Sequence, residues 1–181
     1  LNTTFISDKK KIHIVKDVSF QVKRGKTLAV VGESGCGKSV TMNSVMRFLG
    51  RNAIVEAKSI QYNALKNGEV KEYHLEQVKN KDINGSMMRE LRGPDMAMVF
   101  QDPMSSLNPV YKVGFLQHNR GMTKKQAREK VLEMFRKLGI PDPEERIDCY
   151  PHQFSGGMKQ RVVIAIAMIC NPDLIIYDEP T

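Results

Sequence analysis

The chain has 181 residues and a mass of 20.5 kDa, with 41% hydrophobic residues, 27% charged residues and no Trp. That composition belongs to a globular chain long enough to bury a core, and it excludes wholesale disorder, a collagen-like chain and a disulfide scaffold. The formal charge of +8, from 28 Lys and Arg against 20 Asp and Glu, favours anionic partners (nucleotides, nucleic acid or acidic lipid) without choosing among them.

The first residues carry no signal-peptide core and no initiator Met, so the natural start is expected to lie upstream. Residues 12–15 and 18–23 read as two short β segments, the second from its alternating apolar positions. Arg24 and Gly25 mark a turn. Residues 27–31 form a continuous apolar run, expected as a strand buried on both faces. A glycine-rich loop follows at 32–37. A helix is expected from about 39 to 49, closed by Gly50.

Residues 51–92 are the least legible, and the polar stretch 66–81 reads as surface strands and loops. Residues 96–100 are again a buried-type strand, and 102–109, with two prolines and two serines, are a loop. Thr123 and Gln126 have capping-box spacing and open a helix to about Leu138, with Val131, Leu132, Phe135 and Leu138 on its apolar stripe. Gly139 and Pro141 end that helix. A last helix starts after Ser155, runs to about Cys170 and stops at Asn171-Pro172; residues 174–177 form the final strand. The longest apolar run, 162–170, is nine residues, whereas a membrane-spanning helix needs about 20. Strands leading into helices predict an α/β core. The cysteines (Cys36, Cys149 and Cys170) are odd in number and lack metal spacing, which fits a reducing cytosol.

Three motifs carry chemistry. Gly32-Glu33-Ser34-Gly35-Cys36-Gly37-Lys38-Ser39 matches the phosphate-loop pattern in full, between an expected strand and an expected helix. Glycines let successive N–H groups converge on phosphate oxygens, and the helix N-terminus adds a favourable dipole. Lys38 supplies a mobile charge for the β- and γ-phosphates, and the Ser39 hydroxyl is a ligand for Mg²⁺. The apolar strand 174–177 ends in Asp178 and Glu179. Beside a phosphate loop, Asp178 suits the Mg²⁺ hydration shell and Glu179 suits polarisation of an attacking water. Phe154-Ser155-Gly156-Gly157-Met158-Lys159-Gln160-Arg161 opens a helix with a Ser and two glycines, a second anion-type site. Two phosphate-type sites in one chain suggest ATP sandwiched between two copies.

Taken in order, the phosphate loop, Ser-Gly-Gly-Met and Asp-Glu-Pro resemble an ABC-type ATPase. The resemblance implies a P-loop α/β core with an N-terminal antiparallel β lobe and a helical lobe over about 104–160 bearing the signature. It implies that 32–39 together with Val40 bind ATP. Phe154, Ser155, Gly156, Gly157, Met158 and Gln160 would face the ATP of a second copy. Gln101 matches the glutamine that reaches Mg²⁺ and the attacking water. The catalytic residues it implies are Glu179, Gln101 and Lys38, and the metal residues are Ser39, Gln101 and Asp178. Phe5 resembles the aromatic that stacks on adenine; a core phenylalanine is the alternative.

More narrowly, Gln101-Asp-Pro-Met-Ser-Ser-Leu-Asn-Pro109, Gly121-Met-Thr-Lys-Lys and 150–161 resemble the dipeptide, oligopeptide and nickel importer ATPases. That implies a peripheral subunit at the cytoplasmic membrane face. Its partners would be a second ATPase subunit, transmembrane permease subunits and, indirectly, an extracytoplasmic substrate-binding protein, with no nucleic acid. The cofactors implied are ATP and Mg²⁺. The expected domain is a single nucleotide-binding domain over 1–181, incomplete at both ends. In the family, a D-loop and a switch histidine follow Asp-Glu-Pro-Thr; none of His13, His74, His118 or His152 occupies that position. Relatives carry more residues near Phe115-Leu116-Gln117, where this chain reads as shortened. Cys36 reads as a small tolerated loop residue, and Lys9-Lys10-Lys11 as a solvated turn. The rival readings are a soluble ABC ATPase acting on DNA or ribosomes, and a nucleotide-binding module without turnover. The 117 positions from Lys38 to Ser155 hold no Cys cluster of the kind found in DNA-repair insertions.

Overall fold

A computed structural model describes residues 1–7, 10–66, 68–78, 85–102, 106–114 and 122–179. Expectations for Lys9, Asn67, 79–81, 103–105, the 115–117 join, His118, Gly121, Pro180 and Thr181 lie outside the described residues. The chain divides into two compact units, 1–89 and 90–181.

In the first unit, β1 (Asn2–Ser7) is the centre of a three-stranded antiparallel sheet, flanked by β2 (Lys10–Val15) and β3 (Ala53–Glu56). Helix α1 (Lys38–Val45) packs on this sheet. A buried hydrogen bond of 2.8 Å between the Thr3 and Ser44 hydroxyls joins β1 to the helix and satisfies two polar groups that burial would otherwise penalise. The helix ends earlier than Gly50. Met46 caps it, and Arg47 turns left-handed at φ 55. The Arg47 guanidinium, buried, donates from Nε and Nη2 to the Leu75 carbonyl at 2.9 and 2.7 Å. Burial draws its pKa below the usual arginine value, with Glu76 partly opposing the shift. The illegible stretch holds a hairpin, β4 (Gln61–Lys66) and β5 (Glu69–His74), in antiparallel register Tyr62↔Tyr73.

Two expected strands correct the sequence reading. Residues 18–23 and 27–31 form no strand, and Phe20, Val22, Leu28 and Val30 are exposed, with Val31 at 88%. Apolar alternation supplies a strand with a buried face only where a neighbouring backbone completes the ladder. Among the described residues none does so there. The turn at Arg24-Gly25 is present, with the Lys26 N–H donating to the Lys23 carbonyl and Gly25 at φ 70.

Helix α2 (Ser86–Leu91) spans the unit boundary in sequence. In the second unit, β6 (Met96–Val99) and β7 (Leu174–Tyr177) pair in parallel, Met96↔Leu174 through Val99↔Tyr177. Helix α5 (Gly156–Met168) covers them, packing Val163 and Ala167 on Ala97 and Val99. Its other side joins α3 (Lys124–Lys137) and the short α4 (Pro143–Arg146) in a core centred on Phe135, Ile147, Val131 and Val162. The α3 capping box forms as its spacing predicts: the Thr123 hydroxyl accepts from the Gln126 N–H, and the Gln126 side chain accepts from the Thr123 N–H. Among the described residues no helix is long and apolar enough to cross a membrane.

Candidate functional site

The phosphate loop leads directly into α1. Gly35 and Gly37 have φ of 79 and 97, the left-handed region that glycine tolerates without a Cβ penalty. Gly37 also lies against β2: a Cβ there would stand 3.4 Å from the Ile14 carbonyl and from its side chain. Gly32 is crowded by the Cys36 thiol, 2.7 Å from where its Cβ would be. The Lys38 ammonium folds back over the loop, donating to the Gly32 and Glu33 carbonyls at 2.9 and 3.0 Å. No acidic residue occupies the first turn of α1, and no side chain caps it. A glycine-rich backbone, a lysine and the Ser39 hydroxyl at an uncapped helix start are a donor set for phosphate oxygens. Ser34 and Val40 lie in the same loop and first turn.

The register of β1 against β2 places Phe5 opposite Ile12. Cross-strand partners share a face; beyond Ile12 the register slips at a bulge between Thr3 and Thr4, which leaves Ile14, the neighbour of Gly37, without a cross-strand partner. Phe5 is half-buried, while Ile12 and Ile14 are 49% and 37% exposed. The approach of Ile14 to Gly37 carried no sequence signal, because it depends on where β2 meets the phosphate loop.

In the second unit the ladder extends past both strand ends: the Asp178 N–H donates to the Val99 carbonyl at 2.9 Å. The extension sets the residues after β6 beside those after β7. The Gln101 amide Nε2 donates to Glu179 Oε2 at 2.8 Å, 78 positions apart in sequence. Asp178 is buried and Glu179 is exposed. Glu179 has φ 49, a left-handed conformation that costs a non-glycine residue about 1–2 kcal/mol. Backbone strain at the carboxyl ends of parallel strands is a recurrent property of functional turns.

At α5, the Ser155 hydroxyl is the N-cap acceptor for the Met158 N–H at 3.4 Å. Gly156 and Gly157 are exposed, have no left-handed φ, and would find nothing within 4 Å of an added Cβ. Nothing within the described chain requires glycine there. Phe154 and Gln160 differ from their neighbours in being buried. The Phe154 ring is buried in the helical core, and Gln160 is buried with its Nε2 lacking a hydrogen-bond partner. Met158 packs partly against the same core. Among the described residues there is no cluster of three or more His, Cys, Asp or Glu that could hold a metal ion.

The sequence pattern of the ABC transporter family matches residues 15–181. The dipeptide transport ATP-binding protein DppD of Bacillus subtilis is 46% identical over 191 aligned positions, covering all of this chain and 52% of that protein. The protein of the same name from Haemophilus influenzae is 44% identical, with the same coverage. The chain thus spans about half the length of these relatives. A bacterial ABC transporter cassette solved in dimeric form superposes with a TM-score of 0.73 at 22% identity, over 99% of this chain and 72% of that one. At that identity the likeness establishes the fold: an α/β ATPase cassette with an antiparallel β portion and a helical portion.

Proposed function

The chain belongs to the ABC transporter family, and from that premise we propose that it is part of the ATP-binding and ATP-hydrolysing subunit of an importer of dipeptides or oligopeptides. The observation that carries the reading is the Gln101–Glu179 hydrogen bond at the carboxyl ends of β6 and β7, on a strained turn beside a buried Asp178. The names of the relatives support the peptide substrate class.

The residues divide the work as follows. The amides of 32–37, Lys38 and the N-terminus of α1 hold the triphosphate, with Phe5 offering its ring to the base. Ser39 in the first unit, and Gln101 and Asp178 in the second, are each of a residue type that would suit a bound Mg²⁺, which would neutralise charge on the β- and γ-phosphates. Gln101 fixes one oxygen of the Glu179 carboxylate, which orients that carboxylate toward a water and lets it accept the proton. Ser155 and Gly157 engage the γ-phosphate held by Lys38 of a second ATPase subunit, and the two glycines leave room for that approach. The rate gain comes from positioning and charge stabilisation. Closure of two such subunits drives the permease subunits, and hydrolysis resets them at the cytoplasmic membrane face. Residues from about 104 to 160 form the helical lobe of this single nucleotide-binding domain.

The test uses the full-length protein assembled with its permease and second ATPase subunit. Its ATP hydrolysis should rise when a di- or oligopeptide is supplied with the substrate-binding protein. Stimulation by DNA or ribosomes, with no response to the membrane assembly, would sink the importer reading.

A further inference from the structure

We propose that Arg146 is a positioning residue for the Ser155 turn: it holds Gln153 and Phe154 from one side and so sets how Ser155 meets the nucleotide of the second subunit. The inference rests on the reading of that turn given above. Arg146 closes α4, and the seven residues 147–153 lead from it to Phe154. Its guanidinium carbon lies 5.9 Å from the Phe154 ring centroid, within cation–π range. Its Nη1 reaches the Gln153 carbonyl at 3.5 Å, the long limit of a hydrogen bond. Gln153 is itself fixed, because its Oε1 accepts from the Tyr150 N–H at 2.7 Å.

The base of this arrangement is rigid. Ile147 is fully buried in the helical core, and the Ile147 and Cys149 carbonyls accept the Gly114 and Val113 N–H groups at 2.8 and 2.9 Å. The segment 147–149 is therefore tied on one side to the chain that follows Gln101, and Arg146 reaches from it to the residues that precede Ser155.

Packing alone does not account for an arginine here. Its Nε is buried without a hydrogen-bond partner, and no carboxylate pairs with it among the described residues. An apolar side chain of similar length would fill the same space without burying an unsatisfied N–H. What a guanidinium adds is a charged plane that lies on an aromatic face while donating to a carbonyl. Both of those contacts go to the residues just before the Ser155 N-cap.

The experiment uses the full-length protein carrying Glu179→Gln, so that bound ATP persists, together with its second ATPase subunit. Two quantities are read: the ATP concentration needed for association of the subunits, and the affinity of the unassociated protein for a fluorescent ATP analogue. Arg146→Ala should raise the first about tenfold and Arg146→Lys, which keeps the charge and loses the plane, about threefold, on the scale of a partly desolvated cation–π contact. The second should stay within about twofold, since Arg146 lies outside the phosphate loop; a general loss of structure would move both. Arg146→Met keeps the volume, so wild-type association by that variant would reduce Arg146 to a filler and overturn the inference. Normal association by Arg146→Ala, with association blocked in Ser155→Arg, would overturn it while leaving the reading of the turn intact. Normal association by Ser155→Arg would instead remove that reading, and the inference with it.

Discussion

Gly157→Ala separates what the fold needs from what the site needs. Gly157 is the second residue of α5, and a Cβ there would meet no atom within 4 Å. Alanine is preferred over glycine in a helix interior by about 1 kcal/mol, and relief of unfolded-chain entropy alone is worth about 0.4–1 kcal/mol. At this first-turn position a gain of about 0.5 kcal/mol is reasonable, which raises the melting temperature of a domain this size by about 1–2 °C. Activity should move the other way. If a second subunit's γ-phosphate packs there, as proposed, an added methyl group is an overpacking change, costing about 1–3 kcal/mol, or about 5- to 150-fold in turnover. The assays are calorimetric melting and steady-state ATP hydrolysis by the full-length protein in its assembly. A lower melting temperature would refute the packing argument, and unchanged hydrolysis would refute the claim that this open surface is a contact.

Gly114 is the converse case: a Cβ would lie 2.5 Å from the Ile147 carbonyl and side chain, so Gly114→Ala should destabilise by about 1–3 kcal/mol in urea unfolding. Lys38→Ala should weaken equilibrium ATP binding about 10- to 150-fold, the worth of a charge-assisted hydrogen bond of about 1.5–3 kcal/mol; retained affinity would mean the lysine holds only the loop. The Arg128 guanidinium, donating to Asp148 at 2.8 Å, holds the Asp148 carboxyl below the ordinary aspartate range. A depressed carboxylate pKa contributes stability that is present above its unfolded value and lost as pH falls through the folded one. Melting of the wild type should therefore lose more than that of Arg128→Ala as pH drops below the ordinary carboxylate range, about 4. The difference should be small because both side chains are substantially exposed, and parallel curves would show that the pair contributes nothing.

Local chemistry was legible wherever the signal was short-range. The Thr123–Gln126 capping box, the left-handed Gly35 and Gly37, the Ser155 N-cap and the strand before Asp178 all follow from residues within a turn of one another. What depended on distant partners was less legible. The Tyr62↔Tyr73 hairpin was hidden in a polar stretch because its pairing, not its hydrophobicity, makes it a strand. Residues 27–31 look like a buried strand because they are apolar, yet they lack a described ladder partner. The same limit applied to the site. The motif positions were readable, but the inward turn of Phe154 and Gln160 was not, since helix-face assignment depends on which neighbour α5 packs against. The Gln101–Glu179 contact needed the parallel register of β6 and β7.

The measurement that tests the central claim most directly is steady-state ATP hydrolysis alongside equilibrium ATP binding, for the full-length wild type and Glu179→Gln in their assembly. If Glu179 accepts the proton from the attacking water, binding should stay within about twofold while turnover falls about 100-fold or more, the upper range for loss of a general base. Unchanged turnover in Glu179→Gln would contradict the account.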